Sequence, residues 1–500
     1  MMPTPNLHPE CLRSLLGLKE FDFLRRVWAG TEYQGQVFLV GGAVRDSLLG
    51  REREFDLDLV TELDPVPLLD RMLQSDWTPP GPPLAASQGE GNDAGIASFQ
   101  VRHLGGLAGR EFGVYRFGLG AFEFEIVRAR GEVYSEDSRR PSVYPAGLKE
   151  DVLRRDFTVN ALLADLESGE IHDLTGRGLS DLQQGVLRTP LEPGSTFFED
   201  PLRMLRAIRF RCQLGFEPVE GLYEAIRSQA SRLQVISAER IRDELEKILL
   251  SPRVGLGLQD LLETGLLSEF APDLVAMVGV EQGSFHHLDT WGHTVRVVES
   301  TASDLVLRLA ALLHDVGKPA TRFVDEGGRT RFFGHAELGA KMAAEWLKSM
   351  RFPGDVIREV ELLVHHHMRL GDTSKWSAAA ARRLVRDMGP SLERFLALVE
   401  ADGRGMKADA RKLDLASVRE LIDSVKLPAA GHQFESPLDG REIQRLLGLS
   451  AGPAVGRAKS WLTERVLEGE LAPHDTEMAQ KLLLERYQQE APATEGDPTQ

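Results

Sequence analysis

The chain has 500 residues, 42% of them hydrophobic, with 76 acidic against 59 basic side chains and a formal net charge of −17. That length exceeds what one hydrophobic core normally holds, so several globular domains are predicted. No uncharged apolar run approaches roughly 18 residues, the start MMPTPNLHPE lacks the order of a signal peptide, and only two cysteines occur, Cys11 and Cys212. These features exclude a membrane-spanning helix, a disulfide scaffold and a zinc ribbon, and make the cytoplasm, with no membrane partner, the expected setting.

Residues 1–34 place Leu15, Leu16, Phe21, Phe23, Leu24, Val27 and Trp28 at helical spacing and read as a leading helical segment. A strand is predicted over Gln36 to Val40, a turn at Gly41-Gly42, a helix from Ala43 to Leu49 and a second strand from Phe55 to Val60. Pro79 to Gly95 is rich in Pro, Gly, Ala and Ser and reads as a surface insertion. Strands resume near Val114 to Phe117 and Phe122 to Val127. From about Val152 the pattern turns helical and is expected to stay so, most clearly over Asp200 to Leu214, Ala238 to Leu250 and Gly255 to Leu267. A His-rich helical block occupies 284–410, a Pro/Gly-containing linker lies near 427–438, and a further helical segment precedes the polar end EAPATEGDPTQ, expected to be disordered. The predicted fold class is α+β, a small mixed-sheet head followed by an elongated all-helical body.

An acidic chain is an unpromising partner for nucleic acid, whose phosphates are usually met by Lys and Arg. Distribution qualifies this: Arg154, Arg155, Arg203, Arg206, Arg209 and Arg211 concentrate positive charge mid-chain, as a local RNA track or as a solvated helix face.

Asp56 and Asp58 alternate along the second strand, and a period of two puts both carboxylates on one face. Such a pair suits Mg²⁺, which can hold a nucleotide's phosphates while a 3′-hydroxyl attacks in line. Upstream, Gly41 and Gly42 let backbone amides approach a triphosphate, and Arg45 adds a fixed positive charge. Either motif alone is weak evidence, whereas the ordered combination GGAVRDSLLG and DLDLV is much stronger.

At these residues the chain resembles the DNA polymerase β-like nucleotidyltransferase superfamily, in its bacterial branch of CCA-adding tRNA nucleotidyltransferases and poly(A) polymerases. Leu153 to Ala161 (LRRDFTVNA) is similar to that branch's ribose and phosphate motif, Asp173 to Leu182 (DLTGRGLSDL) to its hinge motif, and Glu199 to Arg206 (EDPLRMLR) to its base-recognition helix. The resemblance implies ribose sensing by Asp156 and Asn160 and phosphate contacts by Arg155 and Arg206. Asp200 and Arg203, three apart and so expected on one helix face, offer an acceptor beside a donor. That pair matches the Watson–Crick edges of cytosine and adenine and mismatches uracil and guanine. Implied substrates are CTP, ATP and tRNA. Relatives that add only CC lack a flexible loop, which Arg130 to Val143 retains here, so full CCA addition is expected, with A-only or poly(A) addition as the alternative.

His293, His314, Asp315 and Asp402 have the order of the HD phosphohydrolase superfamily, with Leu309 to Lys318 (LAALLHDVGK) the most specific piece. His335 and one of His365, His366 or His367, with His367 preferred, would complete a two-metal site for Mg²⁺, Mn²⁺ or Ni²⁺ that activates water toward a phosphoester. The resemblance implies a phosphoesterase acting on 2′,3′-cyclic or related phosphates; the alternatives are a spacer, or a metallohydrolase whose head only binds RNA. Two other stretches read as scaffold: Ala238 to Lys247, with charges alternating as on a solvated face, and Leu447 to Arg457, a turn opening a tail helix. Expected domains are 1–34 (helical lead), 35–150 (nucleotidyltransferase head), 151–215 (neck, base recognition), 216–283 (helical body), 284–410 (HD), 430–488 (tRNA-binding tail) and 489–500 (disordered).

Overall fold

A seven-stranded sheet organises the first of two compact units into which the chain divides, Met1–Pro272 and Asp273–Gln500. The computed structural model describes residues 5–51, 56–75, 101–103, 114–135, 138–282, 288–370, 376–405, 414–425 and 434–490. Its head strands are β1 (Val37–Val40), β2 (Asp56–Thr61), β3 (Val101–His103), β4 (Val114–Leu119), β5 (Phe122–Arg128), β6 (Arg130–Ser135), β7 (Ser138–Pro145), β8 (Leu163–Asp165) and β9 (Ile171–His172).

The sheet order is β3-β4-β5-β2-β1-β8-β9, with β1 antiparallel to β2 and β8, and β2 parallel to β5. β1 is apolar and buried at all four positions, as a strand covered on both faces must be. On one face Phe21, from the helix Lys19–Trp28, meets the ring of Phe124 edge-on with centroids 5.6 Å apart. On the other, Phe38, Val40, Val60, Val152, Ala161 and Leu163 form one buried cluster. That cover reaches Val60 and stops, leaving Asp58 and Asp56, on the same face of β2, exposed.

The predicted helix after the glycines spans Gly42–Leu48, and the helix Ala238–Leu249 falls where expected. Three departures have physical causes. The stretch after Val152 is not uniformly helical, because β8 and β9 return to the head sheet, β8 pairing with β1. These strands are too short to show a period, and the turn between them is built by the Asp165 carboxylate, which accepts from the backbone of Glu167 and Ser168. The expected loop at Arg130 to Val143 is instead an antiparallel pair, β6 with β7, with 136–137 outside the described residues. Asp200 precedes its helix, which begins at Leu202, with extended backbone geometry. Beyond the head, the body is not purely helical either: Val186–Leu187 pairs with Glu217–Pro218.

In the second unit, Thr290–Glu299 and Leu305–Leu313 start where the Asp289 and Asp304 carboxylates accept from Gly292 and Leu307 amides. His335–Ser349, Gly354–His366 and Leu392–Gly405 pack with them, and a short hairpin pairs Phe323–Val324 with Thr330–Arg331. Tail helices follow at Gly440–Leu447, Pro453–Glu468 and Thr476–Glu490. The last runs through 489 and 490, two positions expected to be disordered; the predicted insertion at 79–95 and most of the linker lie outside the described residues. No helix among the described residues is long and apolar enough to cross a membrane.

Candidate functional sites

Asp56 and Asp58 share the exposed face at the start of β2, where the chain enters the sheet. In the parallel pairing with β5, Asp56 lies opposite Glu123 and Asp58 opposite Glu125, so four carboxylates stand on one face in two adjacent rows. Glu125 is partly engaged by Arg116, whose Nε donates at 2.9 Å. The two glutamates were missed because only strand pairing reveals them. An all-oxygen set of this kind fits a hard divalent cation such as Mg²⁺.

Gly41 brings the turn against this face. Its φ of 81° and ψ of −141° favour glycine, and a β-carbon there would lie 3.3 Å from Asp58 Oδ2 and 3.9 Å from Arg155 Nη1. Gly42 opens the following helix. Arg155 is held by Asp151, to which Nε and Nη2 donate at 3.2 and 3.0 Å, while Arg154 Nη2 donates to the other oxygen of the same carboxylate at 2.6 Å. Burial would raise the Asp151 pKa, but Arg155 and Arg154 outweigh it and hold it low. Asp151 was also missed, although its spacing of three and four from the two arginines on a helix was a usable signal.

Arg45 is buried, donating from Nε and Nη2 to Asp46 at 2.8 and 2.6 Å and from Nη1 to Asn160 Oδ1 at 2.5 Å. Asn160 Nδ2 donates to Asp156 Oδ1 at 3.0 Å, and Asp156 Oδ2 accepts twice from Arg206. Burial would raise the Asp156 pKa, yet Arg206 and Asn160 bring it down to about 2. Arg206 also lies 3.9 Å from Glu244, which accepts from Arg209 at 3.1 Å. Glu244, expected on a solvated face, is in fact buried between these arginines. Burial pulls Arg209 down to about 10 against the opposing pull of Glu244. Arg211 in turn meets Asp260 and Glu217, each at 3.3 Å. The mid-chain arginines are thus matched by carboxylates, and among the described residues they form no continuous bare basic track.

Arg203 is buried too, its guanidinium donating to the carbonyls of Thr196 at 3.2 Å and Arg154 at 2.5 Å and to Glu199 at 3.2 Å. Asp200 Oδ1 accepts from the Leu202 amide at 3.2 Å, and Oδ2 lies 3.4 Å from Arg240. The two residues are joined by the backbone bond from Arg203 N to Asp200 O at 3.0 Å, not by a shared helix face.

The second unit gathers all six expected histidines and aspartates. Asp315 is central and fully buried: His314 Nε2 lies 3.1 Å and His293 Nε2 3.9 Å from Oδ2, while His335 and His367 Nε2 lie 3.6 and 3.8 Å from Oδ1. Asp402 Oδ1 lies 2.9 Å from His293 Nε2. Of the consecutive histidines, His367 is buried in this group, whereas His365 is exposed and His366 half-buried. Lys318 Nζ, unassigned in the sequence, donates to Asp315 Oδ2 at 2.6 Å and to Gln282 Oε1 at 2.5 Å.

Proton placement shows what this group lacks. His335 and His367 each donate from Nδ1 to a backbone carbonyl, of Phe332 and Val364, at 2.7 Å. A carbonyl only accepts, so both protons sit on Nδ1 and both Nε2 atoms carry lone pairs. Burial lowers both rings' pKa values, His367's to about 4, which keeps them neutral. Two lone pairs then face each other 3.3 Å apart beside a carboxylate oxygen, with no proton between them. A cation fits there, and the donor atoms of Asp315, His335 and His367 lie within 4.8 Å of one another, as do those of His293, His314 and Asp315. Asp315 is shared by both sets. Burial would raise its pKa, but His314 and Lys318 hold it well below the carboxylate range.

Known proteins show the same three-part layout. Residues 37–78 and 93–188 match the poly A polymerase head domain, 215–277 the probable RNA and SrmB-binding site of polymerase A, and 285–419 the HD domain. A CC-adding tRNA nucleotidyltransferase of Thermus thermophilus is 36% identical over 86% of this chain and 90% of its own. An A-adding tRNA nucleotidyltransferase of Deinococcus radiodurans is 32% identical over 91% and 96%. A multifunctional CCA protein of Pseudomonas fluorescens is 31% identical over 84% and 98%.

Proposed function

The chain belongs to the bacterial family of tRNA nucleotidyltransferases and poly(A) polymerases, and from that membership we propose that it rebuilds CCA at tRNA 3′ ends from CTP and ATP without a template. One observation carries the chemistry: the carboxylates of Asp56 and Asp58 stand exposed on one strand face with Gly41 directly against Asp58. In this reading Asp56 and Asp58, with Glu123 or Glu125 beside them, hold Mg²⁺, which would steady the triphosphate and lower the cost of ionising the attacking hydroxyl. Gly41 and Gly42 let the phosphates approach the backbone, and Arg155 meets them, oriented by Asp151. Arg45, Asn160, Asp156 and Arg206 act as one rigid polar unit beneath the ribose. Base choice falls to Asp200 and Arg203, and reading a base with Arg203 requires exchanging the Thr196 or Arg154 carbonyl for a base acceptor. The tail, 430–488, is the proposed tRNA contact, and the cytoplasm the proposed compartment.

The names of the Thermus and Deinococcus relatives favour a second reading, in which this chain adds only CC or only A. Three tRNA transcripts, ending before CCA, after C and after CC, each given single nucleotides, separate these outcomes. Full addition requires C on the first two and A on the third. Incorporation of A alone, or of C alone, would replace the first reading with a split one, and long A tracts on unrelated RNA would point to poly(A) synthesis.

The second unit is proposed to be a metal-dependent phosphoesterase acting on phosphates at RNA ends, with His293, His314, Asp315, His335, His367 and Asp402 as ligands. Four imidazoles favour Mn²⁺ or Ni²⁺ over Mg²⁺. Turnover of a 2′,3′-cyclic nucleotide with added metal tests this, and no turnover with any of the three ions would leave the unit as a spacer. Were Asp56→Ala to leave incorporation unchanged while His314→Ala abolished the main activity, the chain would instead be a metallohydrolase with an RNA-binding head.

A further inference from the structure

The hairpin between Lys318 and His335 carries exposed aromatic rings that nothing in either proposed reaction uses. Phe333 is 74% exposed, the most of any large hydrophobic side chain among the described residues, and Phe323 is 43% exposed. Their ring centroids lie 5.5 Å apart with planes tilted by 33°, a small aromatic face open to solvent.

This face is fixed next to the histidine centre. Phe332, adjacent to Phe333, accepts through its carbonyl from His335 Nδ1, and its ring lies 5.6 Å from Lys318 Nζ. The hairpin turn is also rigid. The Asp325 carboxylate accepts from the amides of Gly327 at 3.1 Å and Arg329 at 2.9 Å, and from Arg331 Nε at 3.0 Å. Gly328 supplies the positive φ of 74° that the turn needs.

Charge decides what such a face suits. Residues 322–333 carry three arginines against two acids in a chain that is otherwise strongly acidic. Arg322 and Arg329 are exposed, and neither has an ion-pair partner among the described residues. Flat rings interleaved with free guanidiniums are the means by which proteins hold single-stranded nucleic acid, rings taking bases and arginines taking phosphates.

We propose that Phe333 and Phe323 form a base-stacking platform that seats the terminal nucleobase of a single-stranded RNA end, with Arg322 and Arg329 on its backbone, so that the terminal phosphoester reaches the Asp315 centre. This rests on the phosphoesterase reading and names the recognition element of that site.

The test uses the full chain loaded with Mn²⁺ or Ni²⁺ and three probes: a 2′,3′-cyclic nucleotide, an oligonucleotide ending in a cyclic phosphate, and glycerol 1,2-cyclic phosphate, which has no base. Phe333→Ala should raise KM about ten-fold or more on the first two, the scale of one lost base–aromatic stack, with kcat little changed. Glycerol cyclic phosphate should be cleaved as before, Phe333→Trp should restore KM, and nucleotide incorporation should be unaffected. An oligonucleotide with a 3′-terminal 4-thiouridine should photocross-link to the peptide containing Phe323 and Phe333, and less so in Phe333→Ala. Unchanged KM with unchanged cross-linking removes the platform while leaving the hydrolase standing. Cross-linking without hydrolysis of any probe does the reverse. If Phe333→Ala instead turns a dimer into a monomer with RNA readouts unchanged, the rings pair two copies of the chain and the platform is refuted.

Discussion

A β-carbon on Gly41 would stand 3.3 Å from the Asp58 carboxylate, so a side chain in the glycine turn would force that carboxylate to shift by a few tenths of an ångström. Gly41→Ala would meet both this crowding and a positive φ of 81°. The expected cost is about 1–3 kcal/mol in stability. Nucleotide incorporation should fall at least ten-fold even where thermal unfolding shows the protein folded. Full activity in the variant would mean that the turn does not serve the carboxylates.

Asp56→Ala and Asp58→Ala should each reduce incorporation by about three orders of magnitude or more, since several kcal/mol of charge stabilisation is removed. Chelation with EDTA should act likewise and be reversed by Mg²⁺. Glu125→Gln, on the neighbouring strand, should raise the Mg²⁺ concentration needed for half activity. Radiolabelled extension of a tRNA transcript reads all three, and an unchanged Mg²⁺ requirement would take Glu125 out of the site.

Asp156 titrates near 2, below the usual value of about 3.9 for an aspartate in an unfolded chain. Its pairing therefore stabilises the fold fully above about pH 4, and this contribution is lost as pH falls toward 2. Arg206→Ala should cost on the order of 2 kcal/mol at pH 7, less than for a fully buried pair because the Arg206 side chain is 32% exposed. Urea melts should show the gap between wild type and variant narrowing at pH 3. A gap of equal size at both pH values would contradict the pairing.

His367→Ala should lower bound Mn²⁺ or Ni²⁺ measured by elemental analysis, whereas His365→Ala and His366→Ala should not, because only the His367 ring is buried beside Asp315 and His335. Equal metal loss in all three variants would mean that the helix end, not one ring, holds the ion.

Much of this was legible from residue spacing. Asp56 and Asp58 share a face because a strand alternates, and His314-Asp315 end an apolar helix as their motif requires. What stayed hidden depends on pairing and packing. Glu123 and Glu125 join the acidic face only through the register of β5 with β2. Three histidines in a row left the register open, with His367 only preferred, because which ring is buried is set by the end of the helix Gly354–His366. Arg45 and Arg203 were marked as nucleotide contacts, and the sequence did not show the carboxylates and carbonyls that surround them in the fold. The three-residue strand β8 left no period to detect.

The line from Asp46 through Arg45, Asn160, Asp156, Arg206 and Glu244 to Arg209 alternates in sign, three carboxylates against three guanidiniums. Neutralising one member leaves an odd charge in a largely buried line, while exchanging two neighbours together does not. Tolerated variation along this line should therefore arrive in compensated pairs, coupling residues nearly 200 positions apart, so that the helix after the glycine turn, the neck and the helix behind it can drift only in step.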